Sequence, residues 1–125
     1  MSVEMTMPIL VVDDYNTMVR IVRNLLRQLG FQNVDEASDG KTALAKMRSR
    51  AYGLVISDWR VGAQAGDDLV REVRADERLK NTPVLMLTQA EGNGETSARA
   101  ENTLAKPFNA QQLKKRLAAL LGEEF

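Results

Sequence analysis

Three aspartates and one lysine carry the chemistry available to this chain. Asp13 and Asp14 follow the apolar run Ile9-Leu10-Val11-Val12, Asp58 follows Leu54-Val55-Ile56-Ser57, and Lys106 follows Thr103-Leu104-Ala105. A further run, Val84-Leu85-Met86-Leu87, ends in Thr88. Carboxylates brought within a few ångströms of one another repel, so one must protonate or a cation must join them. Oxygen ligands suit a hard divalent ion, and Mg2+ is the abundant one. Mg2+ and Lys106 together balance three carboxylates, which leaves such a site ready to accept a phosphoryl group. A carboxylate can be the nucleophile that takes it as an aspartyl phosphate. The two cations and the Thr88 hydroxyl would then stabilise the equatorial oxygens of an in-line transfer.

These residues meet only if the fold brings them to one edge. Short β-branched runs separated by segments of helical period are the mark of a parallel sheet with crossover helices. In such sheets the carboxyl ends of the strands share an edge, and ligands bind there. The first strand is expected at about 8–13. Met18, Ile21, Val22, Leu25, Leu26 and Leu29 then repeat at helical spacing up to Gly30. A weak strand near Asn33–Ala37, a turn at Asp39-Gly40 and a helix carrying Ala43, Leu44 and Met47 follow. Tyr52–Asp58 reads as the central strand, and Arg60–Gly66 as a loop that is flexible by composition. Leu69, Val70 and Val73 mark the next helix. Pro83 opens the strand that ends at Thr88, where a proline removes no ladder bond. The last helix is expected from Asn109, with Gln112 completing a capping box, Leu113, Leu117, Leu120 and Leu121 as its buried stripe, and Gly122 as its end. The count is five strands alternating with helices, one doubly wound α/β domain. Between Gln89 and Glu101 there is room for about two helical turns and no apolar stripe, so the fourth helix is expected to be short or absent.

Composition narrows the function. The chain has 125 residues, with 17 basic and 17 acidic side chains, which is about one domain and gives no electrostatic case for nucleic acid or an anionic membrane. The absence of cysteine excludes disulfides and thiolate metal sites, and suits a reducing cytoplasm. With no histidine, the chain cannot carry a phosphohistidine, a His–metal site or a His general base. Met1–Met5 shows no signal-peptide pattern, and no apolar run approaches the ~20 residues of a membrane span.

The stretches Val11-Val12-Asp13-Asp14-Tyr15-Asn16-Thr17-Met18, Arg20-Ile21-Val22-Arg23-Asn24-Leu25-Leu26, Val55-Ile56-Ser57-Asp58-Trp59, Pro83-Val84-Leu85-Met86-Leu87-Thr88 and Lys106-Pro107-Phe108 resemble the receiver domains of response regulators. Among these they are most similar to the single-domain chemotaxis regulators of the CheY type. The resemblance implies a flavodoxin-like sheet and a single receiver domain over residues 1–125, with residues 1–7 as a flexible N-terminal tail. It makes Asp58 the phosphoacceptor, and gives Mg2+ to Asp13, Asp14, Asp58 and the backbone carbonyl of Arg60. Thr88 would contact the phosphoryl group and Lys106 would pair with it, aimed by a cis peptide before Pro107. It further implies a monomer whose phosphodonor is a separate histidine kinase and whose target is a protein, the flagellar motor switch being one such target. No nucleic acid and no membrane are expected as partners. The only catalysis implied is of the domain's own phosphorylation and dephosphorylation.

The chain departs from that pattern in places that bear on output. Thr103 stands where the chemotaxis proteins carry a switch aromatic, and is too small to fill the same space. The interval from Thr88 to Lys106, 18 residues, is shorter by roughly one helical turn, so binding to the flagellar switch does not carry over with the fold. Gln89 replaces a small residue beside the phosphoryl group. Arg60 puts a long cation where the attacking water would enter. Gly62 replaces the usual proline of the loop after Asp58, which predicts a looser loop. Three functions stay open: a phosphorylation-switched module that changes affinity for a protein, a phosphate sink that drains the kinase, and an adaptor indifferent to phosphorylation. An aspartyl-phosphate phosphatase of the haloacid dehalogenase type is excluded, because it needs a second Asp two residues after Asp13 and this chain has Tyr15.

Overall fold

Leu54–Ile56 and Ile9–Val12 are almost fully buried, as strands covered by helices on both faces must be. The computed structural model describes residues 5–58, 60–61, 64–89, 102–106 and 108–122. Its main sheet is built from β1 (Ile9–Val12), β2 (Val34–Ala37), β3 (Leu54–Asp58), β6 (Val84–Gln89) and β7 (Asn102–Lys106). Their order is β2-β1-β3-β6-β7, and every pairing is parallel. This is the doubly wound five-stranded sheet expected from the sequence.

Four helices are described: α1 (Asn16–Gln28), α2 (Gly40–Ser49), α3 (Gly66–Ala75) and α4 (Ala110–Leu121), the last being the C-terminal helix of the sequence reading. Side chains alternate across the pleat. Ile9, Val11, Leu54, Ile56, Leu85 and Leu87 pack on one face with Val22 and Leu26 of α1 and Leu113 and Leu117 of α4. Leu10, Val12, Val55, Val84 and Met86 pack on the other with Ala43, Leu44 and Met47 of α2 and Leu69, Val70 and Val73 of α3.

Local chemistry sets the helix ends. The Asp39 carboxylate accepts the Thr42 amide at 2.7 Å and starts α2. Asn109 and Gln112 form the expected reciprocal capping box at 2.8 and 3.0 Å, and Gly122 ends α4 with φ of +74°.

Two regions differ from the sequence reading. Within the stretch expected to be a flexible loop, β4 (Arg60–Val61) and β5 (Gln64–Ala65) pair antiparallel. A backbone ladder supplies order that composition alone does not register, and the looser loop expected at Gly62 lies outside the described residues. Residues 5–7, expected within an N-terminal tail, are tied to the domain: Met5 O accepts the Gln32 amide at 3.3 Å, and Met5 and Met7 pack against the α1–α4 side of the core. The segment expected to carry a short fourth helix, residues 91–101, and the peptide bond before Pro107 lie outside the described residues.

Candidate functional site

Register brings the sequence-distant groups together. Val12 pairs with Ser57, so the next residues along the two central strands, Asp13 and Asp58, stand side by side at the carboxyl edge. Strand order reverses at this point, with β1 leading out to β2 and β3 leading out to β6, which is where doubly wound sheets leave a crevice. Asp58 also pairs with Leu87, Thr88 with Ala105, and Gln89 with Lys106, so Thr88 and Lys106 reach the same edge.

Asp13 is only 3% exposed. Its Oδ1 accepts the Tyr15 amide at 2.9 Å, an Asx-type turn that leads the chain into α1. Its Oδ2 is buried and has no hydrogen-bond partner. Burial pushes the Asp13 carboxyl up to about 6; the charges of Asp58 and Asp14 add to the rise, and the Tyr15 amide and Lys106 oppose it. A buried carboxylate with one oxygen unpaired is costly and calls for a cation or a proton.

Asp58 meets Lys106 directly: Nζ donates to Oδ1 at 2.8 Å, with both side chains largely buried. The backbone at Asp58 is steadied by Ser57, whose buried hydroxyl donates to the Asp58 carbonyl at 3.0 Å. Asp14 sits at the rim and is exposed. Thr88 is half-buried at the end of β6, and Thr103, also half-buried, pairs with Met86 one turn of the pleat behind the edge. The structure therefore joins Asp13, Asp58 and Lys106 most closely, with Asp14 and Thr88 around them. The roles expected for the side chains of Arg60 and Gln89 lie outside what is described. The sequence reading missed the Tyr15 amide as the clamp on Asp13 and Ser57 as a support for Asp58. The Asp-x-x spacing of an Asx turn was the available signal for the first.

Among the described residues no group of three acidic side chains is close enough to hold a metal by itself. Mg2+ does not require one, because it commonly keeps several waters and takes one or two carboxylates. The orphaned Oδ2 of Asp13 beside the Asp58 carboxylate fits such an ion.

The family model of the response regulator receiver domain matches residues 9–118. The chain belongs to this family. Receiver domains of two-component signalling are signalling modules, and the relatives narrow the type. The Pseudomonas aeruginosa chemotaxis protein CheY is 46% identical over 115 residues, 89% of this chain and 93% of that protein. The solved structure of the Vibrio cholerae chemotaxis response regulator CheY4 superposes with a TM-score of 0.81 at 32% identity, over 92% of this chain and 98% of that one. The receiver domain of the P. aeruginosa sensor histidine kinase PA1611, solved with a magnesium ion coordinated in its active-site cleft, gives a TM-score of 0.84 at 29% identity, over 94% of this chain and 99% of that one. This receiver domain is thus CheY-like in sequence and fold. Among its described residues no helix is long and apolar enough to cross a membrane.

Proposed function

We propose that residues 1–125 form a single, monomeric receiver domain that acts in the cytoplasm, takes a phosphoryl group onto Asp58 from a histidine kinase and changes its affinity for a protein partner in chemotaxis or motility signalling. The observation that carries the reading is the contact of Lys106 Nζ with Asp58 Oδ1 beside the buried, unpaired oxygen of Asp13. Asp13, Asp14, Asp58 and the Arg60 carbonyl would hold Mg2+, which supplies positive charge against the phosphoryl oxygens when bound.

In the transfer, a carboxylate oxygen of Asp58 attacks phosphorus in line with the donor nitrogen. The new O–P bond forms as the N–P bond of the phosphohistidine breaks, and the kinase imidazole leaves with the electron pair. Lys106, already at the attacking group, moves its hydrogen bond from Asp58 Oδ1 to a phosphoryl oxygen. The Thr88 hydroxyl donates to another. A cation facing Asp13 would offset the burial that raises its carboxyl and so favour its ionised form.

A phosphate sink is the second reading, favoured by Thr103 at the position of the switch aromatic. Trp59, the only tryptophan and the neighbour of Asp58 in sequence, reports on both. Its fluorescence is followed during Mg2+ addition and then with a small acyl phosphate, with Asp58→Asn as control. A donor response that decays, and is absent in the variant, upholds Asp58 as phosphoacceptor; rapid decay identifies a sink and slow decay a switch. Mg2+ binding with no donor response and an unchanged intact mass would refute phosphotransfer and leave an adaptor.

A further inference from the structure

At the opposite edge of the sheet from Asp58, a groove of about 440 Å³ opens between the end of α2 and the segment linking α3 to β6. That volume falls within the range of small-molecule sites. Its floor is apolar, with Met47 and Leu79 buried and Pro83 beside them, and three arginines line it: Arg48, Arg50 and Arg78. They come from two separate stretches of chain, and the fold alone sets them around one concavity.

The guanidiniums are held yet not used up. Asp76 binds both stretches, its Oδ2 accepting Arg48 Nε at 3.4 Å and its Oδ1 accepting the Arg78 amide at 2.9 Å. Among the described residues neither the two terminal nitrogens of Arg48 nor the Arg78 guanidinium makes a hydrogen bond. Arg50 donates one N–H to Asp35 at 2.7 Å and lies 5.8 Å from the centre of the Tyr52 ring. Tyr52 is fixed in turn by its own 2.6 Å bond to Asp35. A guanidinium offers five donors in a planar fork matched to carboxylate and phosphate oxygens. Basic residues in the last turn of α2 and beyond the C-terminal ends of α2 and α3 also offset the helix dipoles, but that role asks for neither an apolar floor nor a concavity between them.

We propose that this groove binds a small organic oxyanion with an apolar body, about the size of a mononucleotide, through Arg48, Arg50 and Arg78. The site is separate from the phosphoacceptor edge and stands whether or not Asp58 is phosphorylated. The test uses amide spectra of the full chain in Mg2+-free buffer with EDTA, so that the acidic edge holds no bridging ion. The probes are adenosine monophosphate, naphthalene-2-carboxylate, inorganic pyrophosphate and uncharged adenosine. Saturable shifts confined to residues 47–52 and 78–83 are expected with the nucleotide or the naphthoate, and the responding probe distinguishes a phosphate from a carboxylate ligand. Pyrophosphate should bind at least about fivefold more weakly, and adenosine should leave the groove unshifted. Arg78→Ala and Arg48→Gln should each weaken binding about five- to tenfold, with Lys115→Ala as an unaffected control. No saturable shift at the groove with any probe up to about 10 mM would overturn the proposal. So would equal affinities for the nucleotide and pyrophosphate with shifts spread over other basic surfaces, which would leave the arginines as partners of the helix ends alone.

Discussion

Lys106 Nζ donates a 2.8 Å hydrogen bond to Oδ1 of Asp58, tying the end of β7 to the end of β3 across the intervening β6. Strands two apart in a sheet are separated by roughly 10 Å, a gap that the length of a lysine side chain can close. The bond places the cation on the carboxylate before any phosphoryl group arrives. Its removal should therefore have two opposite effects. Lys106→Met should raise Mg2+ affinity about two- to fivefold, because a competing positive charge is gone. The same variant should slow phosphorylation by a small acyl phosphate at least about tenfold, because a donor to the transferred group is gone. Mg2+ titration and initial phosphorylation rates on one preparation check both; a fall in Mg2+ affinity would contradict the electrostatic account.

The Asp13 carboxyl, pushed up to about 6 by burial, starts from 3.8 in an unhindered aspartate. Between these values the folded state keeps a proton that the unfolded chain has released. Stability in EDTA should therefore fall as pH rises from about 4 to about 6, then level off, by at most about 3 kcal/mol. Asp13→Asn should flatten this dependence and stabilise the Mg2+-free protein at neutral pH. Urea unfolding across the pH series measures it, and Mg2+ should restore part of the loss above pH 6.

Gly53 leaves a recess that Met7 fills: a Cβ added there would lie 2.8 Å from the Met7 sulfur and 3.3 Å from its Cβ. Gly53→Ala should destabilise the domain by about 1–2 kcal/mol through overpacking. Combining it with Met7→Ala should cost less than the sum of the two single changes. Strict additivity in chemical denaturation would show that Met5–Met7 is not seated as described.

Asn109 supports the start of α4 through both bonds of its capping box. Asn109→Ala should lower stability by about 1 kcal/mol, while Asn109→Asp should retain most of it. The phosphorylation rate should change little in either, since the cap acts on the helix and not on the acidic edge.

The elements were legible where their cause was local. The continuous apolar runs of the buried strands, the helical spacing of Val22 with Leu26 and of Leu113 with Leu117, the Asn109–Gln112 box and the Gly122 stop are written in residues a few positions apart, and the structure places them as read. The same holds for the carboxyl-edge positions of Asp13, Asp58, Thr88 and Lys106, because each directly ends or follows an apolar run. The β4–β5 pair was not legible: two-residue strands carry no pattern of their own, and their order comes from pairing with each other. Nor was the seating of Met5 and Met7, since the recesses they fill are made by Gly30 and Gly53, distant in the chain.

By itself, then, the sequence determined the set of strands and helices and the chemical inventory at one edge: three carboxylates, a hydroxyl and an ammonium. Those follow from side-chain type and short-range spacing. Only the tertiary structure decided that Asp13 is buried with one oxygen unpaired, that Lys106 rests on Asp58 Oδ1, and that three arginines surround one groove at the far edge. These depend on strand order, register and exclusion of water, which arise when segments tens of residues apart pack together.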